Sequence, residues 1–171
     1  MTTEKQPSNR QIIKDGEIVG DAWIYLDDAA EVPSDASSLL LSVERFQAEG
    51  PALLDAGHEV GVRFSTAHSG RELGGALASA HLVAVDFPKF TDGRGYTVAQ
   101  RLRTQLGWSG PLRAVGDILP DQSFYLRRCG FDELDVRADK PIEDALAGLG
   151  TFSVVYQGAA SDPRPLYRRR A

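Results

Sequence analysis

Apolar and polar positions along the chain follow two patterns in turn, one typical of strands and the other of helices. Short, nearly continuous apolar runs at 82–86 and 112–116 are typical of strands covered on both faces of a parallel sheet. The segments that follow them, 96–106 and 121–129, place their apolar residues at helical spacing, and each ends at a glycine. The pattern therefore predicts consecutive strand–helix units in the second half of the chain.

The remaining elements follow from the same patterns and from turn residues. Asp15-Gly16 tolerates the positive φ angles of a tight turn, so residues 12–19 predict a hairpin. Gly50-Pro51 should break or restart a helix that spans 42–57. We also predict strands at 22–26, 60–64, 131–136 and 152–156, a helix at 141–150, and a weakly helical segment at 70–80.

Strands separated by single helices imply right-handed crossovers and a mostly parallel sheet. The predicted fold class is therefore α/β, with repeated strand–helix units that form an open sheet or a partial barrel behind a small N-terminal β-hairpin. We expect one α/β domain over 11–157, between a flexible lead at 1–10 and a flexible tail rich in Arg and Pro at 158–171. The sequence leaves the strand order open.

Charge and composition exclude several classes of function. The 171 residues include 19 basic and 24 acidic side chains and carry a net charge of −5, so no overall basic field attracts nucleic acid. The single cysteine forms no internal disulfide, and the N-terminus has no apolar signal core, so we expect a cytoplasmic protein. No apolar stretch approaches the ~18 residues of a membrane span, and no membrane partner is expected.

Ligands of parallel α/β proteins collect where the carboxyl ends of strands meet loops and helix N-termini. The loop after the strand at 82–86 is the richest candidate, because it combines carboxylates, cations and glycines. Amide donors at the next helix start, with Lys89 and Arg94 nearby, favour binding of a phosphate, sulfate or carboxylate group. The candidate residues in the two loops after 82–86 and 112–116 are Asp86, Lys89, Asp92, Arg94, Tyr96, Asp117 and Gln122.

Structural roles for the same residues remain open alternatives. In the first loop, Asp92-Gly93 would form a turn, Thr97 would cap the helix and Asp86 would pair with Arg94. If the two strands are neighbours, Asp86 and Asp117 face one crevice, where a carboxylate pair binds a divalent cation or shares a proton. Otherwise Asp117 and Asp121 bond loop amides and cap the following helix.

No cofactor or metal is predicted. Cys129 falls on the apolar face of its helix, which favours a packing role over a reactive thiolate beside Arg127 and Arg128. His58, His68 and His81 lack the spacing of zinc ligands. Neither a dinucleotide fingerprint nor a phosphate loop is present.

Three segments resemble a bacterial family known as domain-of-unknown-function family 934. They read VAVDFPKFTDGRGYTVAQRLR, LRAVGDILPDQSFYLRRCGFDELDV and EDALAGLGTFSVVYQ, and the resemblance extends from Trp23 to Gln157. It implies an association with assimilatory sulfate and sulfite reduction, as a companion of sulfite reductase or phosphoadenylylsulfate reductase. The resemblance supplies no catalytic residues.

The leading hypothesis is an accessory, non-redox protein of sulfite assimilation that binds a partner protein or a small anion through the loop at 86–96. One alternative is a small-molecule enzyme that uses an Asp/Lys/Arg crevice for acid–base or metal-assisted chemistry. Another is an oligomeric scaffold whose sheet edge or helices form the contact between copies. The basic tail, with Arg164, Arg168, Arg169 and Arg170, is interpreted as a solvated terminus or a contact for an acidic partner.

Overall fold

The computed structural model describes residues 10–69, 71–152 and 154–168. Within these ranges the strands are β1 (Gln11–Lys14), β2 (Glu17–Gly20), β3 (Ile24–Tyr25), β4 (Ser38–Ser42), β5 (Glu59–Phe64), β6 (Leu82–Phe87), β7 (Leu112–Gly116) and β8 (Glu133–Leu134). The α-helices are α1 (Val43–Asp55), α2 (Arg94–Thr104), α3 (Ser123–Arg128) and α4 (Ile142–Gly148). Short 3₁₀ helices occupy Gly74–Ser79, Pro120–Gln122 and Leu166–Arg168.

All of these strands join one sheet, in the order β2-β1-β8-β7-β6-β5-β4-β3. The strands from β3 to β8 run parallel, and β1 pairs antiparallel with both β2 and β8. The sheet is open and curled. The predicted α/β class, with a mostly parallel sheet behind an N-terminal hairpin, is confirmed.

The N-terminal hairpin turns where the sequence predicts. Asp15 and Gly16 both have positive φ angles, of 51° and 85°, as a two-residue turn between right-twisted strands requires. Ile13 pairs with Ile18 across the hairpin and with Leu134 of β8 on its other side. The hairpin therefore extends the parallel sheet at its β8 edge.

The two faces of the sheet differ in character. Alternate residues of each strand point to opposite faces, so Val83, Val85 and Phe87 of β6 pack with the helices in the main core. Leu82 and Ala84 point to the other face, in a small apolar cluster with Leu40 and Val115 that Trp23 and Tyr25 cover. Polar side chains of the second face therefore lie away from the helices.

The predicted break at Pro51 is wrong, because α1 continues through Pro51 to Asp55. Proline removes one backbone donor from the helix, but tertiary packing holds both halves in place. Phe46 is fully buried before the proline, and Leu53 and Leu54 pack against the same core after it. Ser42 caps the helix by accepting a hydrogen bond from the Arg45 amide.

The predicted strand at 152–156 is also wrong. Phe152 and residues 154–156 belong to no strand, and Ser153 lies outside the described residues. Phe152 packs instead on Phe124, with ring centroids 4.9 Å apart, while Val154 and Tyr156 are largely exposed. β-branched and aromatic residues favour a strand only where a neighbouring strand offers backbone partners, and no strand among the described residues pairs with this segment.

Three further predictions fall partly on residues that the structure does not describe. The predicted lead includes 1–9, which lie outside the described residues, while Arg10 bonds to Asp135. Arg169 and Arg170 of the predicted basic tail also lie outside, as does Gly70 at the start of the weakly helical segment. None of the helices in the described part combines the length and apolar character needed to cross a bilayer.

Candidate functional site

The loops after β6 and β7 leave the sheet from the same edge. The two strands are adjacent and parallel, and Phe87 at the end of β6 pairs with Gly116 at the end of β7. The Asp117 amide donates to the Phe87 carbonyl, at 2.8 Å, so the second loop begins against the first. We call this edge, with residues 86–96 and 117–122, the rim.

Phe90 is held at the rim by two side chains from the second loop. Its backbone amide donates to Oδ2 of Asp117, at 2.9 Å, and its carbonyl accepts from Nε2 of Gln122, also at 2.9 Å. Both polar groups of this residue are therefore satisfied by side chains, although its aromatic ring is 49% exposed. The rim presents an aromatic side chain on a fixed backbone.

Gln122 links this loop to a row of aromatic rings. Its Nε2 also lies 3.2 Å from the Tyr96 hydroxyl, and its Oε1 accepts from the Leu119 amide at 2.9 Å. The Tyr96 ring contacts Phe87 and Tyr125, with centroid distances of 5.1 and 4.9 Å. Burial raises the pKa of Tyr96, so its hydroxyl stays protonated, and Tyr125 continues the row to the surface.

Asp117 has a structural partner on each oxygen. Its Oδ1 lies 2.7 Å from Nη1 of Arg137, which also bonds Asp139 in a bidentate pair. The Phe90 amide, and after it Arg137, lower the pKa of Asp117. Asp117 therefore stays ionised and holds the loop at Phe90 in place. Its bond to the Phe90 amide is the loop bonding that the structural alternative predicts.

Asp92 and Arg94 bond to each other. Nε and Nη2 of Arg94 lie 2.9 and 2.6 Å from the two carboxylate oxygens, and the Arg94 amide also donates to Oδ1. The side-chain bonds from Arg94 lower the pKa of Asp92 to about 2. The expected pairing of Arg94 with Asp86 is therefore wrong, and Thr97 does not cap α2, which begins at Arg94.

Asp86 lies on the face of the sheet away from the helices. Its carboxylate has no hydrogen bond or ion pair within 10–69, 71–152 and 154–168. Burial raises its pKa, and the charge of Arg63 on β5 opposes that shift only partly. Asp86 and Asp117 thus share the rim but not a partner. Lys89 is exposed and has no side-chain bond among the described residues.

The sequence interpretation missed a cluster of buried charges on the same face as Asp86. Arg113 of β7 donates to Glu133 of β8 at 2.7 Å and to Asp21 at 2.8 Å. Arg10 bonds Asp135 and lies over the Tyr25 ring, at 4.1 Å from its centroid. The sequence carries a signal for this cluster, because Arg113 interrupts the apolar run at 112–116 and two carboxylates alternate with apolar residues at 133–136.

The three histidines and Cys129 contact other groups of the protein. His58 lies 2.9 Å from the Ala36 carbonyl, and His81 accepts from the Val60 amide. His68 accepts from the Ser65 amide at 3.0 Å. Cys129 packs against the main core, and burial raises the pKa of its thiol. The described residues contain no group of His, Cys, Asp or Glu arranged to hold a metal ion.

The fold and rim define a parallel α/β protein with a braced aromatic loop at the carboxyl ends of its strands. Residues 61–167 match the model of a family described as a bacterial protein of unknown function (DUF934). That match spans more than half of the chain, so the chain belongs to this family. It includes the whole rim but not the N-terminal hairpin, and it starts later than the resemblance from Trp23. No curated protein matches the chain.

Proposed function

We propose that this chain is an accessory protein of assimilatory sulfate and sulfite reduction that has no redox role of its own and binds a partner protein at the rim. The sequence resemblance supports the metabolic setting and nominates sulfite reductase or phosphoadenylylsulfate reductase as the partner. The geometry of the rim supports the mode of action. The observation that carries it is the exposed ring of Phe90 on a backbone fixed by Asp117 and Gln122.

An aromatic side chain on a fixed loop suits a binding anchor. Aromatic residues dominate the energy of many protein interfaces, and an ordered backbone reduces the entropy lost on binding. Tyr125 is 54% exposed and reaches Phe90 through Tyr96 and Gln122, so it enlarges the same surface. Lys89, which precedes Phe90 in the sequence, is exposed and adds a positive charge to the loop.

A small anion is the less favoured occupant of this loop. Arg94, the main cation at the start of α2, is already held by both oxygens of Asp92. The Arg94 amide is occupied by the same carboxylate. An incoming sulfate or phosphate would have to displace Asp92 and would approach the carboxylates of the rim.

The proposal is tested by measuring the affinity of the purified chain for each of the two reductases. Phe90→Ala should weaken binding by at least about 30-fold, which corresponds to about 2 kcal/mol for a central anchor. Tyr167→Ala is the matched control, because that ring is 66% exposed but lies outside the rim. Absence of binding to both reductases contradicts the choice of partner, and equal binding by Phe90→Ala contradicts the rim.

A thermal-shift series with sulfite, sulfate and phosphate separates the anion from the protein partner. An anion at 100 times its dissociation constant stabilises a fold by about 2.7 kcal/mol. We expect no such stabilisation. A shift that Arg94→Ala abolishes would assign the loop to an anion instead.

Asp86 favours acid–base chemistry on a small molecule as a second candidate function. A half-buried carboxylate with a raised pKa and no bonded partner among the described residues is suited to proton transfer. Asp92 and Asp117 are bonded to different arginines, so Asp86 and Arg63 would carry this function. Small molecules that bind the wild type in a ligand-detected NMR screen should not bind Asp86→Asn, and unchanged binding removes this candidate.

A further inference from the structure

Two adjoining cavities lie beside α3, between this helix and residues 149–152 and 155–162. Their volumes are about 360 and 230 Å³, and both are lined by Arg127, Leu149 and Ser161. The larger cavity reaches Gly16 of the hairpin turn and Asp132, which precedes β8. We call the two cavities together the α3 groove. It opens at the amino ends of the parallel strands, whereas the rim lies at their carboxyl ends.

The smaller cavity of the α3 groove has an apolar wall. Phe124 of α3 and Phe152 pack edge to face, with ring centroids 4.9 Å apart, and Leu149 and Val155 complete the wall. Phe152 is 60% exposed despite this contact. This wall offers a place for one apolar side chain of a binding partner.

The cations of the α3 groove stand next to this wall. Arg127 lines both cavities and is exposed, and its guanidinium has no hydrogen bond or ion pair in the part of the chain that the structure describes. Arg128 is held at the edge by its bond to the Gln157 carbonyl, at 3.2 Å. Although the chain carries a net charge of −5, this part of its surface places an unpaired guanidinium beside aromatic rings.

None of the described carboxylates that line the α3 groove bonds to Arg127. Asp132 is bonded by Arg103, at 2.5 Å, and Asp162 lies 3.5 Å from Arg164. Asp15 lines only the larger cavity, at the hairpin turn. Asp162 also lines the smaller cavity, but Arg127 and Arg128 outnumber it there, so the charge beside the apolar wall is positive on balance.

We propose that the α3 groove binds an extended segment of a partner protein in which an apolar side chain stands beside carboxylates. The apolar side chain packs in the smaller cavity against Phe152 and Val155, and a neighbouring carboxylate pairs with Arg127. A purely apolar segment would cover Arg127 without a partner, which costs free energy. The carboxylate of Asp15 opposes a nucleic acid strand, so a peptide fits the charges better.

A random-sequence peptide library selected on the whole protein tests this proposal. The enriched peptides should carry Asp or Glu next to Leu, Ile or Phe. A synthetic copy of the strongest binder should lose at least about tenfold in affinity on Arg127→Glu, and a similar amount on Phe152→Ser. Arg127→Lys should retain most of the binding, because it keeps the charge.

Two matched variants show whether a loss of peptide affinity is specific to the α3 groove. Arg101→Glu makes the same charge change at an exposed position of α2 outside the groove, and Phe90→Ala alters the rim; neither should change peptide affinity. Circular dichroism and melting temperature confirm that each variant is folded. Enrichment of basic peptides, enrichment of none, or undiminished binding by Arg127→Glu each overturn the proposal. Its failure leaves the rim proposal standing, because that proposal is tested through Phe90.

Discussion

Arg113 and Glu133 form an ion pair inside the sheet, with Nη2 of the arginine 2.7 Å from Oε2 of the glutamate. The two residues are register partners on the parallel strands β7 and β8, and their side chains are only 1% and 2% exposed. The same guanidinium bonds Asp21, which precedes β3. One arginine therefore joins two central strands to the segment that covers the helix-free face.

Replacing Arg113 by methionine should destabilise the protein strongly. Glu133 and Asp21 would remain buried without their main cation, and breaking a buried ion pair in this way costs about 3–5 kcal/mol. Urea denaturation measures the loss. Lys14→Met is the control, because Lys14 also lies near Glu133, at 3.5 Å, but is half exposed and should cost less than about 1 kcal/mol. Similar losses for the two variants would contradict a central role for Arg113.

Gly116 should tolerate no side chain at the end of β7. Its φ is +96°, and a Cβ there would lie 2.4 Å from the Phe87 carbonyl oxygen and 2.6 Å from Oδ1 of Asp86. We expect Gly116→Ala to cost about 3 kcal/mol or more, measured by chemical denaturation. Gly107 has a positive φ of 67° in open space, so Gly107→Ala should cost only about 1–2 kcal/mol. Equal costs would show that crowding at the rim is unimportant.

The central parallel strands and their helices were predictable because their signals are local. Continuous apolar runs mark β6 and β7, and glycine stops mark the helices that follow. The strand β4 was missed, since a run of three leucines between serines is too short to distinguish strand from helix. The strand predicted at 152–156 failed because strand formation depends on a neighbour that the sequence does not show.

The position of the candidate site was predictable, but its bonding was not. Parallel strands bring their carboxyl ends to one edge, which places Asp86 and Asp117 at the same rim. The bonds from Phe90 to Asp117 and Gln122 join residues 27 and 32 positions apart, and side-chain geometry at that separation leaves no periodic signal. The charges around Arg113 did leave a signal, because Arg113 interrupts an apolar run and Glu133 and Asp135 alternate with apolar residues.

Replacing Asp86 by asparagine should stabilise the protein at neutral pH. Its pKa is raised in the folded state, so the ionised carboxylate opposes folding as the pH rises from the ordinary aspartate value, about 3.9, through the folded value. Asparagine lacks that charge, and the variant should exceed the wild type in stability at about pH 7 but not at about pH 3. Denaturation at both pH values tests this. A less stable variant at neutral pH would contradict it, and Asp55→Asn, at an exposed site, serves as the control.

The bond between the Phe90 amide and Asp117 should be lost only at a pH below the range in which ordinary aspartates become protonated. The pKa of Asp117 is lowered, so its stabilising contribution is complete above about 3.9 and is lost as the pH falls through the lower, folded value. Hydrogen exchange of the Phe90 amide should be slow at about pH 5 and faster in Asp117→Asn. Asp139→Asn also removes a partner of Arg137 but leaves the Phe90 bond, so its Phe90 amide should remain protected.

Cys129 should react slowly with thiol reagents at neutral pH. Burial raises the pKa of its thiol, and the opposing effects of Tyr125 and Arg128 are smaller, so the thiolate fraction is below that of a free cysteine. The rate of reaction with a disulfide reagent should be lower than that of a cysteine peptide and should recover in denaturant. Fast labelling of the native protein would restore the possibility of a reactive thiolate.

The N-terminal hairpin pairs with β8, the last strand in the described part of the chain. Arg10 bonds Asp135 across 125 residues, and Ile13 pairs with Leu134. During synthesis the hairpin must therefore wait until nearly the whole sheet has left the ribosome, and Glu133 and Arg113 meet Asp21 only then. In nascent chains arrested before β8, the N-terminal segment should therefore not be bound to the sheet. Synthesis of β8 completes the buried charge cluster around Arg113.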